Sequence, residues 1–297
     1  MENLKYKLVF MVLFLSTIIA FGQTDTVRKS DNGKKTSYFS TSLNYISDAV
    51  FMGRKDSVSA PYLYPTVSYH HKSGFYGNGS FSYLTKSNES RVDLFLVTAG
   101  YDFTKNNLSG DFSVTKYFFN QDSYNVISEV EADLTSNLRY DFGNVFNLLI
   151  NASLYFNSNS SSDFFLSPEI SHDFLTTNQK FQFTPTVGIN FGTQNFYEEY
   201  YTNTRLGNGG GQGQGSGSTA QTTIVINIQE SEKFNMMAIE FSLPMWYSHK
   251  QLTFSFLPVL VLPQNPATIT VDDVVIEEGL EDTFYWMVGI SYLFGKN

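Results

Sequence analysis

The chain has 297 residues, with 28 acidic against 19 basic side chains, a formal charge of −9 at pH 7 and no cysteine. That acidity argues against a nucleic-acid partner, because phosphate binding needs clustered Lys and Arg. The missing cysteine removes disulfides, lipidation at cysteine, thiolate metal sites and cysteine nucleophiles.

Lys5 and Lys7 form a short positive region, Leu8 to Ile19 an apolar run, and Ala20-Phe21-Gly22 a small-residue cleavage pattern before Gln23. The run is shorter than the roughly 18 apolar residues that a spanning helix needs. Residues 1–22 therefore read as a cleaved secretory signal, and residues 23–35 as a polar lead-in.

Twelve strand-like runs follow. They are Thr36–Ser47, Pro61–His71, Phe75–Thr85, Arg91–Phe103, Leu108–Phe118, Val126–Phe142, Val145–Asn157, Asp163–Phe174, Lys180–Thr193, Phe234–Ser248, Gln251–Pro263 and Thr283–Phe294. In the sixth, Val130, Ala132, Leu134, Leu138 and Tyr140 oppose Glu129, Glu131, Asp133, Asn137 and Arg139. In the ninth, Phe181, Phe183, Val187, Ile189 and Phe191 oppose Gln182, Thr184, Thr186 and Asn190. The last sets Phe284, Trp286, Val288, Ile290, Tyr292 and Phe294 against Thr283, Gly289 and Ser291. Alternation over ten or more residues gives strands of lipid-spanning length, whereas soluble strands average about 5–6 residues.

Composition agrees. Aromatic residues reach 16% while apolar residues stop at 42% and mean hydropathy is −0.18, as expected when each strand shows one face to lipid and the other to a polar lumen. Alternate connections are tight: Lys72-Ser73-Gly74, Thr104–Asn107, Gly143-Asn144, Leu175–Gln179 and His249-Lys250. The others are longer, notably Asp48–Ala60, 194–233 and 264–282. The expected fold is all-β: a transmembrane, antiparallel, up-and-down β-barrel of about 12 strands, with residues 36–297 as its single barrel domain.

The final strand, Gly289-Ile290-Ser291-Tyr292-Leu293-Phe294, resembles the assembly signal of Gram-negative outer-membrane β-barrel proteins, although Met287 stands where a polar residue is usual and Gly295-Lys296-Asn297 follow. The resemblance implies an exported protein of the bacterial outer membrane, with Gly289, Tyr292 and Phe294 read by the barrel-assembly machinery. It also implies outer-membrane lipid and lipopolysaccharide as surroundings, tight turns in the periplasm, and loops 194–233 and 264–282 outside the cell.

Some residues fit less simply. Pro65, Pro168, Pro185, Pro244 and Pro258 fall inside strands and need bulges or strand ends to host the missing N–H. Lys116 has lipid parity and needs to snorkel. The flanks of the low-complexity stretch Asn208–Ser218, namely Phe196–Tyr201 and Thr222–Ile228, read as extensions of strands nine and ten. Asp272, Asp273, Glu277, Glu278, Glu281 and Asp282 crowd another loop without calcium-loop spacing.

His70, His71, His172 and His249 all sit near tight turns. Barrel hydrolases of the class resembled carry their catalytic histidine at the other end, so no enzyme, cofactor or metal site is expected. Parity places Asp111, Glu129, Glu131, Asp133, Asp141, Glu169 and Asp173, with Glu240, on the lumen face, against Arg139 and Arg91. Such a face attracts cations. The expected function is a passive, weakly cation-preferring channel for small solutes; the alternative is a plugged barrel that binds or supports through its outer loops.

Overall fold

The period-two runs become the staves of a closed barrel in the computed structural model. It describes residues 36–294 apart from 87–88, 144, 159–160, 201–225, 230 and 272–273. The expected signal and lead-in, the stretch Asn208–Ser218, Asp272, Asp273 and the tail 295–297 lie outside the described residues.

The chain opens with β1 (Tyr38–Ile46), then a small hairpin of β2 (Val50–Phe51) and β3 (Arg54–Lys55), then β4 (Tyr62–His70) and β5 (Phe75–Leu84). It continues through β6 (Arg91–Lys105), β7 (Leu108–Phe119), β8 (Val130–Asp141), β9 (Asn147–Asn157), β10 (Asp163–Ser171) and β11 (Phe174–Leu175). After β12 (Phe181–Phe183) and β13 (Thr186–Gly192) come α1 (Asn195–Tyr200) and β14 (Ile226–Ile228). The chain closes with β15 (Asn235–Ser242), β16 (Met245–His249), β17 (Leu252–Pro263), β18 (Thr268–Val271), β19 (Val274–Glu277) and β20 (Thr283–Phe294).

β10 with β11, β12 with β13, and β15 with β16 are each one stave broken at a kink, so the wall has twelve antiparallel staves. β20 closes it on β1, from Phe39↔Phe294 to Ile46↔Met287.

The five tight connections gather at one end, the turn end. Each contains a residue with positive φ: Gly74, Asn106, Gly143, Gln179 and Lys250. That sign matches the right-handed twist of the strands that a short hairpin joins. The prolines sit where ladders are interrupted. The β12–β13 break contains Pro185 and the β15–β16 break contains Pro244, while the carbonyls of Pro185, Pro244 and Pro258 accept from His172, Thr184 and Leu243 of the adjacent stave. Pairing between β10 and β13 skips Pro168, and pairing between β4 and β5 skips Pro65.

Two local expectations fail. Residues 126–129 form a turn instead of opening the sixth stave, because Asn125 Oδ1 accepts the Ile127 N–H and draws the backbone out of strand geometry. Phe196–Tyr200 is helical, since the Asp163 carboxylate accepts the backbone N–H groups of Asn195 and Phe196 at 2.8 and 2.7 Å and caps that end. Ile226–Ile228 extends no barrel strand either. It pairs with β18, which pairs with β19, so the two long loops share a three-stranded sheet at the loop end.

Candidate pore and its loop plug

Directly paired residues on adjacent staves point the same way, so the register assigns the two faces. The outward face is apolar. Near the turn end it carries aromatic neighbours around the wall: Phe39–Tyr69 at 4.7 Å, Phe75–Tyr101 at 5.0 Å, Phe142–Phe146 at 4.5 Å, Phe174–Phe183 at 4.7 Å and Tyr292–Phe294 at 4.7 Å. Towards the loop end, Phe95–Phe118 and Phe164–Phe234 lie 5.8 and 5.7 Å apart. Two aromatic girdles around an apolar band are what a membrane-embedded barrel needs at its two interfaces. This is the fold of an outer-membrane β-barrel protein.

Solved structures of that kind resemble the chain at low identity. A KdgM porin aligns over 86% of this chain and 99% of its own at 11% identity, with a TM-score of 0.47. The COG4313 outer membrane channel from Pseudomonas putida F1 aligns over 89% and 100% at 12% identity and 0.48. LpxR from Salmonella typhimurium aligns over 85% and 99% at 10% identity and 0.43. No protein-family profile and no curated protein matches the chain. These likenesses concern barrel architecture and carry no solute or reaction over to this protein.

Inside the barrel, the lumen changes character along its axis. Towards the turn end it is polar and partly open to water, with Ser42, Asn44, Thr66, Asp102, Asp111, Asn137, Arg139 and Asn151 all half-buried. The side chains there bond along the wall. Asp111 accepts from Tyr76 and Asn137, both at 3.1 Å, and Asn151 donates to Asn137 at 2.6 Å. Arg139 pairs with Asp173, which also accepts from Thr184 at 2.8 Å.

Towards the loop end the lumen is shut, largely by apolar and aromatic side chains. Tyr62, Leu84, Leu94, Leu96, Tyr155, Phe165, Val259, Val261 and Tyr285 are all buried there. The filling comes from the β2–β3 hairpin in the loop 48–60. Phe51 lays its ring against Tyr155, Phe165 and Phe196 at 5.6, 5.2 and 5.1 Å. The hairpin turns on Met52 and Gly53, with φ of 49° and 81°. A Cβ on Gly53 would lie 3.0 Å from the side chains of Ala238 and Pro263, so the plug meets the wall at a point where only glycine fits.

Arg54 fastens this plug. It is 1% exposed. Nη1 donates to Met237 O at 2.8 Å, and Nη2 donates to Gln264 O and Asn265 O at 3.1 and 2.8 Å and reaches Glu278 Oε2 at 3.3 Å. Glu278 also accepts the Ala267 N–H at 2.9 Å, which orders loop 264–282 around the latch. At the base of the plug, Asp48 Oδ1 accepts the N–H groups of Ala49 and Ala60 at 3.0 and 2.8 Å.

The acidic residues expected in the lumen separate into groups. Asp111, Asp141 and Asp173 face the turn-end lumen. Asp133 and Glu169 also face inward but are buried; Asp133 accepts from Tyr117 at 2.8 Å and Thr135 at 2.6 Å. Glu240, across Gly188 from Glu169, accepts from Asn190 at 2.7 Å.

Glu129 and Glu131 need correction. Glu129 lies in the turn before β8, and Glu131 sits where the β8–β9 register shifts between Val130 and Ala132. The bulge reverses the parity of Glu131 and of Val130 before it, so Val130, of lipid parity in the sequence, is buried in the apolar cluster with Phe51 and Tyr155. Glu131, with its side chain 55% exposed, therefore points outward and pairs at 2.8 Å with Lys116, the basic residue of lipid parity.

Gly289 lies in the register row of Asn44 and Ser255, and a Cβ there would be 2.1 Å from Asn44 Oδ1. Tyr292 and Phe294 face outward in the turn-end girdle. The four histidines stay near the turn end: His70 stacks between Tyr38 and Tyr76, and His172 Nδ1 lies 2.6 Å from Val145 O. Among the described residues, no group of three or more acidic or histidine side chains is placed to hold a metal ion.

Sequence reasoning missed Phe51, Met52 and Arg54. The signal was available as Ala49-Val50-Phe51-Met52-Gly53-Arg54, an apolar run ending in an arginine inside a supposedly exposed connection.

Proposed function

We propose that the protein is an outer-membrane channel for small solutes, closed at its outer mouth by its own first loop and weakly cation-preferring when open. With the tight turns in the periplasm, the plugged end faces the medium. One observation carries the reading. The turn-end bore is polar and water-accessible, and its obstruction is a hairpin hung on the Arg54 latch, a separate piece from the wall. The cation preference rests on Asp102, Asp111, Asp141 and Asp173 facing the same bore as Arg139.

A second reading has its own support. Phe51 and Met52 belong to one continuous apolar cluster with the wall residues Tyr155, Phe165 and Met237, as a permanent plug would. In that case the barrel acts through its loops.

The test is planar-bilayer recording of the wild type and of a variant in which residues 49–58 give way to a short Gly-Ser linker between Asp48 and Ser59. The channel reading expects rare openings in the wild type and steady conductance in the variant. A wild type that never opens beside a conducting variant would favour the permanent plug, and a folded variant that passes no current would overturn the channel reading.

A further inference from the structure

Lys116 on β7 pairs with Glu131 on β8 at 2.8 Å on the outward face, and both side chains are exposed. The pair stands inside the apolar band. Along β7, Lys116 lies two residues nearer the turn end than Phe118, which neighbours Phe95 in the loop-end girdle. Two residues of strand place the charges roughly 7 Å to the lipid side of that girdle.

The pairing also decides what can cover it. A lone lysine on this face would snorkel and draw an anionic headgroup. The register shift between Val130 and Ala132 instead turns Glu131 outward to meet it, which leaves a patch with no net charge. The complement of such a patch is a second pair laid against it head to tail. That attraction is stronger at low dielectric than in water.

The wall beside the pair is low. Ala132 is the register partner of Lys116, Ser136 is paired with Ala152, and Ala99 lies across from Val114. These short outward side chains stand among long ones. Small residues at an interface in lipid let backbones approach closely, and polar ones hold the contact.

Two barrels inserted in the same direction are related by rotation about the membrane normal. A two-fold rotation brings Lys116 of each copy opposite Glu131 of the other, because left and right exchange on facing walls. A larger ring would need a second complementary patch, and among the described residues no other ion pair lies on the outward face. We infer that the β7–β8 wall is the contact surface of a two-fold homodimer, in which two Lys116–Glu131 pairs form a ring of alternating charge. The contact is outside the bore, so it is independent of whether the barrel conducts.

The test uses the full-length protein, which has no cysteine of its own. Outer membranes carrying Ser136→Cys would be treated with a bis-maleimide. Val288→Cys is the control, outward on β20 and six staves round from β8. A cross-linked dimer is expected from Ser136→Cys alone. Purified proteins in mild detergent would then be weighed by light scattering. Lys116→Glu and Glu131→Lys each set like charges against like, so each should weaken the dimer by about tenfold or more. An equimolar mixture of the two should restore it as a heterodimer. Neither barrel in that mixture has an internal ion pair, so recovery reports contact between copies. If either variant fails to fold, as judged by gel mobility without boiling, the Ser136→Cys cross-link keeps the test. Three outcomes would overturn the inference: equal cross-linking from both walls, a mixture no more dimeric than its components, or a monomeric wild type that retains a phosphorylated lipid lost in Lys116→Gln.

Discussion

Arg54 Nη1 donates to the carbonyl oxygen of Met237 at 2.8 Å, tying the first loop to stave β15, three staves round the barrel from β1. Met237 is the extra residue at the β13–β15 register shift between Asn190 and Phe191, and its carbonyl also accepts the Gln264 N–H at 2.7 Å. One acceptor thus joins the stave, the loop 264–282 and the arginine. Nη1 and Nη2 carry all the bonds of this buried guanidinium, while Nε has no partner, and removing one partner of a buried pair typically costs about 3–5 kcal/mol.

The first prediction follows from that latch. Arg54→Ala should release the hairpin without opening the barrel, making the bond after Lys55 cleavable by trypsin in folded, unboiled protein. Glu278→Gln should have a smaller effect, because Met237, Gln264 and Asn265 still accept from the guanidinium. Mass spectrometry of the tryptic fragments reads both. Identical fragment patterns in wild type and Arg54→Ala would mean that the apolar contacts of Phe51 and Met52 hold the plug alone.

The second prediction separates two roles within the last strand. Gly289→Ala adds a Cβ that meets Asn44 Oδ1 and Ser255 Oγ at 2.1 and 2.6 Å, so it should lower the folded yield in cells and in purified detergent refolding alike. Phe294→Ala removes only an outward ring in contact with Tyr292. If Phe294 belongs to an assembly signal, its loss lowers the yield in cells and leaves purified refolding intact. Equal losses in both settings would make Phe294 a packing residue.

The barrel was legible because its cause is local. Alternation places most outward Phe, Tyr, Val and Leu of a stave without knowledge of its neighbours, with Val130 before the bulge an exception, and the tight turns declare themselves in residues such as Gly74 and Asn106. The lumen was less legible, because parity survives only until a bulge. One extra residue at Glu131 moved a carboxylate from the expected bore to the lipid side. The plug was missed for a different reason. Nothing in 48–60 repeats, and its inward fold depends on acceptors from Met237, Gln264 and Asn265, more than 180 residues away.

The third prediction concerns orientation. The chain has no cysteine, so single cysteines at Ser57 and Ser73 report without background. Both serines are exposed, one in the plug loop and one in a tight turn. A membrane-impermeant maleimide on intact cells should label Ser57→Cys and spare Ser73→Cys. The reverse pattern would invert the barrel and place the plugged mouth in the periplasm.

The last prediction concerns selectivity, and it starts from the variant without residues 49–58. In that barrel the permeating ion meets Asp102 and Asp111, which face each other in register across β6 and β7 in the water-accessible bore. Arg139 lies at the same end but is paired with Asp173, which cancels much of its field. Asp102→Asn with Asp111→Asn should therefore move the reversal potential in a salt gradient towards anions. Glu131→Gln should leave it unmoved, since that carboxylate faces outward with Lys116 and only lumen charges act on the ion. Asp133→Asn should also have little effect, because its carboxylate is buried under Tyr117 and Thr135. The Glu131 variant is the sharpest control, since strand parity alone and the observed bulge give opposite expectations for it. A reversal potential that followed Glu131 and ignored Asp102 and Asp111 would mean that the bulge is absent in the membrane and that the acidic bore runs along β8.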